Sequence, residues 1–303
     1  MAHDNQHRIG GFYALSAYLW WGFLAVYIKQ VAAAAPVEII THRILWTCLT
    51  MAIVVGLTGR APAFAAMRHR PKAVALLALS GFLIASNWLI FVWAVNHGRI
   101  HDTSMGYFIN PLLIVLVGLI VLRERLRPWQ ALSLGMASLG VMIIVARVGV
   151  FPWIALSLAI TFTLYSLVRK QLDVDPLVGL LCETLALFPL AAGYFLWLAA
   201  GGQNTFGPGQ PGLSALLILA GPMTAVPLVL FSAGARRITM TTLGFFQYLT
   251  PSITFCLAIF AYGEQLSPAK LAAFVCIWIG LFIYTADTTF QSRLPRRQAL
   301  EEA

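Results

Sequence analysis

The sequence predicts an all-α integral membrane protein of ten transmembrane helices, arranged as two inverted-topology five-helix repeats with both termini cytoplasmic. Three observations predict it. Of 303 residues, 60% are hydrophobic and only 10% charged, against roughly a quarter charged in an ordinary soluble domain. The apolar residues fall in continuous runs of about the 20 residues that a helix needs to cross the hydrocarbon core. They lack the period-two alternation of a membrane barrel. Finally, the second half of the chain echoes the first at a spacing of 140 residues.

Taken in order, spans are expected at 9–31, 37–58, 73–95, 104–122, 128–146, 152–168, 177–200, 213–233, 239–262 and 268–286. The first is longer than the apolar core of a signal peptide, about 7–15 residues, so it reads as a retained span. Lys and Arg alternate between loops. Fifteen lie in one set (Arg8; Arg60, Arg68, Arg70, Lys72; Arg123, Arg125, Arg127; Arg169, Lys170; Arg236, Arg237; Arg293, Arg296, Arg297) and four in the other (Lys29, Arg99, Arg147, Lys270). The richer set marks the cytoplasmic side. The net charge of +9 is thereby a topology signal and not a nucleic-acid footprint. The uncharged, Gly/Pro-rich stretch 201–212 is expected outside. The four cysteines, Cys48, Cys182, Cys256 and Cys276, sit in apolar runs without metal-ligand spacing, and neither zinc nor a disulfide framework is supported. No cofactor is expected.

The shift of 140 brings Pro36, Gly81, Pro111, Glu124, Leu126, Pro128 and Gly140 onto Pro176, Gly221, Pro251, Glu264, Leu266, Pro268 and Gly280. Five spans per half is an odd number, so the second half is inverted relative to the first. The expected units are 9–146 and 152–286, followed by a cytoplasmic tail, 287–303. Inverted repeats of this kind characterise secondary transporters, whose sites lie between the halves. Pro111 and Pro251 are expected to kink their spans, and Glu124 and Glu264 to cap helices.

Several motifs resemble one family: Ala17-Tyr-Leu-Trp-Trp-Gly22, His42-Arg-Ile-Leu-Trp46, Asn87-Trp88, Trp93-Ala-Val-Asn96, Gly106-Tyr-Phe-Ile-Asn-Pro111, Pro152-Trp153, Gln247-Tyr248, Pro251 and Gly263-Glu264. From about residue 12 to 287 the chain is similar to the ten-span permeases of the drug/metabolite transporter superfamily, built from two EamA-type repeats. Within it the chain resembles the RarD branch, named for a chloramphenicol-sensitivity protein. The resemblance implies a transporter of small organic solutes and favours efflux. One departure is Arg123 before Glu124, where such repeats usually carry Gly; the turn geometry there is in question.

The polar residues inside the spans are the candidate pathway. A guanidinium in hydrocarbon costs about 3 kcal/mol or more, so Arg43 needs partners. At 1.5 Å per residue, Arg43 and Asn110 lie roughly 9 Å and Asn87 roughly 12 Å below the external face, with His42 close by. These are the expected supports of Arg43. Glu183, Gln247 and Tyr248 form a second layer near the cytoplasm. Arg43 and Glu183, opposite charges at the 140-residue spacing, would differ in depth by roughly 12 Å, so a salt bridge between them is not the default. Arg43 reads as a binder of an anionic or polar solute group, as an outer gate with Asn87 and Asn110, or as an anchor snorkelling to the surface. Glu183 reads as a structural carboxyl or as a proton-coupling group. Trp20 and Trp46 are candidates for stacking on a planar solute.

The partners expected are the lipid bilayer, a small-molecule solute and protons as coupling ion; oligomeric state is left open. The chain carries no Walker A motif, so ATP is not the direct driver. The alternative is an integral-membrane enzyme using His42 and Glu183 as acid and base. It lacks HExxH, GxSxG or metal-ligand spacing, and it is not the expectation.

Overall fold

The computed structural model describes residues 2–97, 99–146, 151–261 and 268–301, and every regular element among them is helical. In chain order these are α1 (Ala2–Gln30), α2 (Pro36–Leu57), a short α3 (Ala61–Ala66), α4 (Pro71–Asn96), α5 (Ile100–Ile120), α6 (Pro128–Val145), α7 (Trp153–Gln171), α8 (Pro176–Ala200), α9 (Pro211–Ala235), α10 (Met240–Gln247), α11 (Leu249–Cys256) and α12 (Pro268–Glu301). Eight helical segments among the described residues are long and apolar enough to cross a membrane, including the broken Met240–Ala261 segment. Of the other two expected spans, the fourth is a shorter apolar helix, Met105–Ile120. The sixth is α7, 19 residues long with Arg169 and Lys170 in its last turn.

Proline sets many of the helix starts. Pro36, Pro71 and Pro128 open α2, α4 and α6, and Pro176, Pro211 and Pro268, each 140 residues further on, open α8, α9 and α12. At a first helical position the missing N–H is one that the helix leaves unpaired anyway. Asp175 caps α8, its Oδ1 accepting from the amides of Leu177 (2.9 Å) and Val178 (3.3 Å). The two mid-span prolines behave differently. Pro111 lies inside an uninterrupted α5, whereas Pro251 follows a break at Tyr248, whose amide bonds back only three residues to Phe245. The ring of Pro251 excludes a normal bond to the fourth residue before it, and here the helix divides.

Packing follows the same spacing. α1 lies on α9 as α7 lies on α4; α2 lies on α9 as α8 lies on α4; α5 lies on α7 as α10 lies on α1. α2 with α8, α5 with α10 and α6 with α12 each pair a helix with its own counterpart. At the last of these crossings a Cβ on Gly140 would stand 2.7 Å from the Ala273 carbonyl oxygen, and one on Gly280 would stand 2.8 Å from that of Ser133. Both contacts are with backbone, so a side chain at either glycine would push α6 and α12 apart. Tyr18, Phe162, Tyr165 and Phe231 pack between α1, α7 and α9, with Tyr165 stacked on Phe231 at 5.8 Å. Phe12, Leu57, Leu190, Phe260 and Phe282 are exposed on the periphery, as suits a lipid-facing surface.

Many of the basic segments are tied together at one end of the bundle. The short link between α7 and α8 is the hub. Asp175 pairs with Arg60 (3.1 Å), the Asp173 carbonyl accepts from Arg70 (3.0 Å), and Arg236 bonds both the Asp173 carboxylate and the Val174 carbonyl. Lys170 reaches the carbonyls of Ala235 and Ile238. Glu124 caps a helix, but the helix is α10 of the other half. Its carboxylate accepts from the amides of Met240 (2.7 Å) and Thr241 (2.9 Å) and from the Thr241 hydroxyl (2.7 Å). Its counterpart Glu264 lies outside the described residues.

The geometry before Glu124 explains the departure noted in the sequence. Among the described residues Arg123 is the non-glycine residue with positive φ, +55°, a left-handed conformation that costs an L-residue roughly 1–2 kcal/mol. Arg123→Gly is expected to raise stability by up to about 1 kcal/mol after glycine's greater chain entropy is set against the relieved strain. The change should appear as a higher melting temperature in detergent. A lowered one would contradict the strain.

Candidate functional site

Between α2, α4, α8 and α9 lies a narrow cavity of about 10 Å3, room for about one water. Its wall contains Arg43, Ile44, Thr47, Ile84 and Trp88 from the first half and Glu183, Thr184, Leu187, Thr224 and Leu228 from the second. In that order, each residue of the first group is the 140-residue counterpart of one in the second. Equivalent helix faces of the two halves therefore turn toward the same space.

Arg43 is turned inward. Its Nε donates to Thr224 Oγ1 at 3.0 Å and the guanidinium carbon lies 4.0 Å from the centre of the Trp88 ring. Stacking over indole offsets part of the desolvation of the charge. Tyr27 and Tyr107 are its electrostatic neighbours. Among the described residues Arg43 has no carboxylate partner.

Glu183 is paired, with a residue that the sequence reading placed in a loop. Arg169 Nη1 stands 3.3 Å from Glu183 Oε1, and both side chains are only 2% exposed. Ser80 Oγ donates to the same carboxylate oxygen at 2.5 Å, and Arg169 Nε donates to Ser232 Oγ at 2.9 Å. The guanidinium fits because residue 179 is glycine: a Cβ there would stand 2.3 Å from Arg169 Nη1. One turn separates Gly179 from Glu183, so α8 supplies both the notch and the counter-charge. Glu183 Oε2 is buried with no hydrogen-bond partner among the described residues.

The EamA-like transporter family matches this chain at residues 8–146 and again at 152–286. The chain belongs to that family. It is 42% identical over 287 residues to an uncharacterized transporter of Pseudomonas aeruginosa, covering 95% of this chain and 96% of the relative. It is 39% identical to the RarD protein of Escherichia coli, covering 95% and 98%. A protein of Pseudomonas aeruginosa named chloramphenicol-sensitive protein RarD is 29% identical, covering 94% and 95%. A solved crystal structure superposes with a TM-score of 0.69 at 21% identity, over 91% of this chain and 96% of that one, and shares the fold. The family and the relatives indicate a multi-pass membrane transporter of the drug/metabolite type, and a transporter in place of an enzyme.

Within this EamA-like chain, the expected supports of Arg43 are corrected. Asn87 Nδ2 donates to the Leu158 carbonyl (2.8 Å) and to Thr161 Oγ1 (2.9 Å), tying α4 to α7. Asn110 Oδ1 accepts from Thr163 Oγ1 (3.1 Å), tying α5 to the same helix. These are polar contacts of the kind that hold membrane helices together. His42 is buried, and its Nδ1 accepts from Trp46 Nε1 at 3.0 Å. Its ring lies against Phe195 and Phe206, 5.5 and 4.9 Å away. No contact joins His42 to Glu183, so the acid/base pairing of the enzyme reading has no geometry among the described residues. Trp20 Nε1 donates to the Met223 carbonyl (3.1 Å). Gln247 is buried with Oε1 unpartnered, and Tyr248 OH donates to the Phe108 carbonyl (3.4 Å).

The sequence reading thus reached Arg43 and Glu183 and missed Trp88, Thr224 and Arg169 as parts of the site. A signal existed for two further wall residues. One helical turn on from Arg43 and Glu183, on the same faces, stand Thr47 and Leu187. Nothing comparable distinguishes Arg169 from its neighbour Lys170.

Proposed function

We propose that the chain is a secondary transporter that moves a small organic solute across the cell membrane by alternating access between two inverted five-helix halves. In this reading ten spans cross the bilayer, both termini are cytoplasmic, and the solute passes through the cavity between α2, α4, α8 and α9. The observation that carries it is the cavity wall, five pairs of residues 140 apart. A site built from equivalent faces of two repeats is where a rocking motion of one half against the other opens it to either side. The gathering of basic segments at one end of the bundle supports the cytoplasmic assignment of that end.

Glu183 is the proposed proton-coupling group, supported by its place on the cavity wall and its unpartnered Oε2. A proton taken up at Oε2 would cancel the charge that Glu183 sets against Arg169 at Oε1. The test is uptake into proteoliposomes with chemical analysis of the lumen, chloramphenicol among the solutes tried. Appearance of an unchanged solute inside, dependent on the protein, is the expected result. A new chemical species in place of it would favour an enzyme.

A further inference from the structure

We infer that Arg43 is the anchoring point for a carboxylate or similar monoanionic oxyanion group on the solute, an inference that rests on the cavity being the solute pathway. The two arginines on the inner helices are treated differently. Arg169 is neutralised by Glu183 and bonded to Ser232. Arg43, on the wall of the same cavity, has a neutral hydroxyl and an indole face. Its Nε edge is taken by Thr224, and its two terminal NH2 groups have no acceptor among the described residues. Nor does the Thr224 hydroxyl hydrogen among the described residues, whereas Thr184 on the same wall donates to the Leu180 carbonyl. Arg43 and Thr224, both on the cavity wall, thus carry donors without acceptors among the described residues.

Such a cluster is incomplete by one anion. The free edge of a guanidinium presents two parallel N–H bonds, the fork that a carboxylate fills. Trp88 holds the guanidinium plane from one face, so the fork is oriented before the ligand arrives. Beyond it the wall is largely apolar, with Ile44, Ile84, Leu180, Leu187 and Leu228, and this asks for an apolar body behind the anionic head. The space as it stands, about 10 Å3, holds about one water, so the ligand is admitted only when the helices around it part. The ligand class is a small monoanion, amphipathic, with its charge at one end.

The test is a thermal-shift titration of the purified full chain in detergent with a panel of small aromatic and aliphatic monocarboxylates, each beside its uncharged primary amide. The expected result is protection by one or more acids and at least about tenfold weaker protection by the matching amide, the loss of one charge-assisted bidentate contact. Arg43→Gln should remove the difference between acid and amide, and Arg43→Lys, lacking the fork, should retain only part of it. Should Arg43→Gln fail to fold, Thr224→Val keeps the guanidinium and removes the hydroxyl donor, and about three- to tenfold weaker acid binding is expected. Equal protection by acids and amides, absence of protection by every acid, or an unaltered acid preference in the variants would overturn the inference. Proteoliposome uptake separates this from the wider reading. Transport of neutral solutes that survives Arg43→Gln leaves the transporter standing without the anion site, while the anion site with no solute crossing leaves binding without transport.

Discussion

Arg169→Ala is expected to lower stability by about 3–5 kcal/mol, the usual cost of removing one partner of a buried ion pair. The variant leaves Glu183 2% exposed among apolar helices with one serine bond, and it empties the notch above Gly179. The pair ties α7 to α8 and, through Ser232, to α9. Replacing both members by apolar residues of similar volume, as in Arg169→Met with Glu183→Leu, is expected to recover most of the loss, because the cost resides in the orphaned charge. Reversible unfolding in mixed micelles checks both variants. A surface control is available in Arg60→Ala, whose pair with Asp175 is about one-third exposed and is expected to contribute 1 kcal/mol or less. A loss at Arg169 no larger than at Arg60 would contradict the buried pair.

Glu183→Gln carries the largest expected effect on transport. One proton exchanged per solute lets each pH unit across the membrane support about tenfold accumulation, 1.36 kcal/mol. The glutamine variant cannot take up that proton, so it should lose the tenfold response per unit while still exchanging labelled for unlabelled solute. It also leaves the Arg169 charge unpaired, so a stability measurement belongs beside the transport assay. A stable variant with an unchanged pH profile would remove Glu183 from coupling.

Much of this architecture is legible in the sequence because membrane spans are written in long apolar runs and proline marks where six of the helices begin. The spacing of 140 residues between those prolines is the spacing of the packed pairs and of the cavity wall. Rotation of a helix about its axis is much less legible. Depth along the chain put Arg43, Asn87 and Asn110 at one level, but Asn87 and Asn110 are directed at α7 while Arg43 faces α9. The same one-dimensional estimate put Arg43 and Glu183 in separate layers, and they meet on one cavity wall because α2 and α8 cross face to face. Arg169 was hidden for a different reason. A basic residue at the end of an apolar run reads as a topology marker, and its burial depends on a glycine and a serine from two other helices.

The most direct measurement of the central claim is side-specific labelling of a single cysteine at position 224, beside Arg43, in a chain whose four native cysteines have been replaced. Proteoliposomes of known orientation would be treated with a membrane-impermeant maleimide from either face. Modification is expected from both faces, each slowed by a transported solute, because alternating access exposes the same wall to each side in turn. Labelling from neither face, with the folded state intact, would make the cavity a packing void and contradict the account.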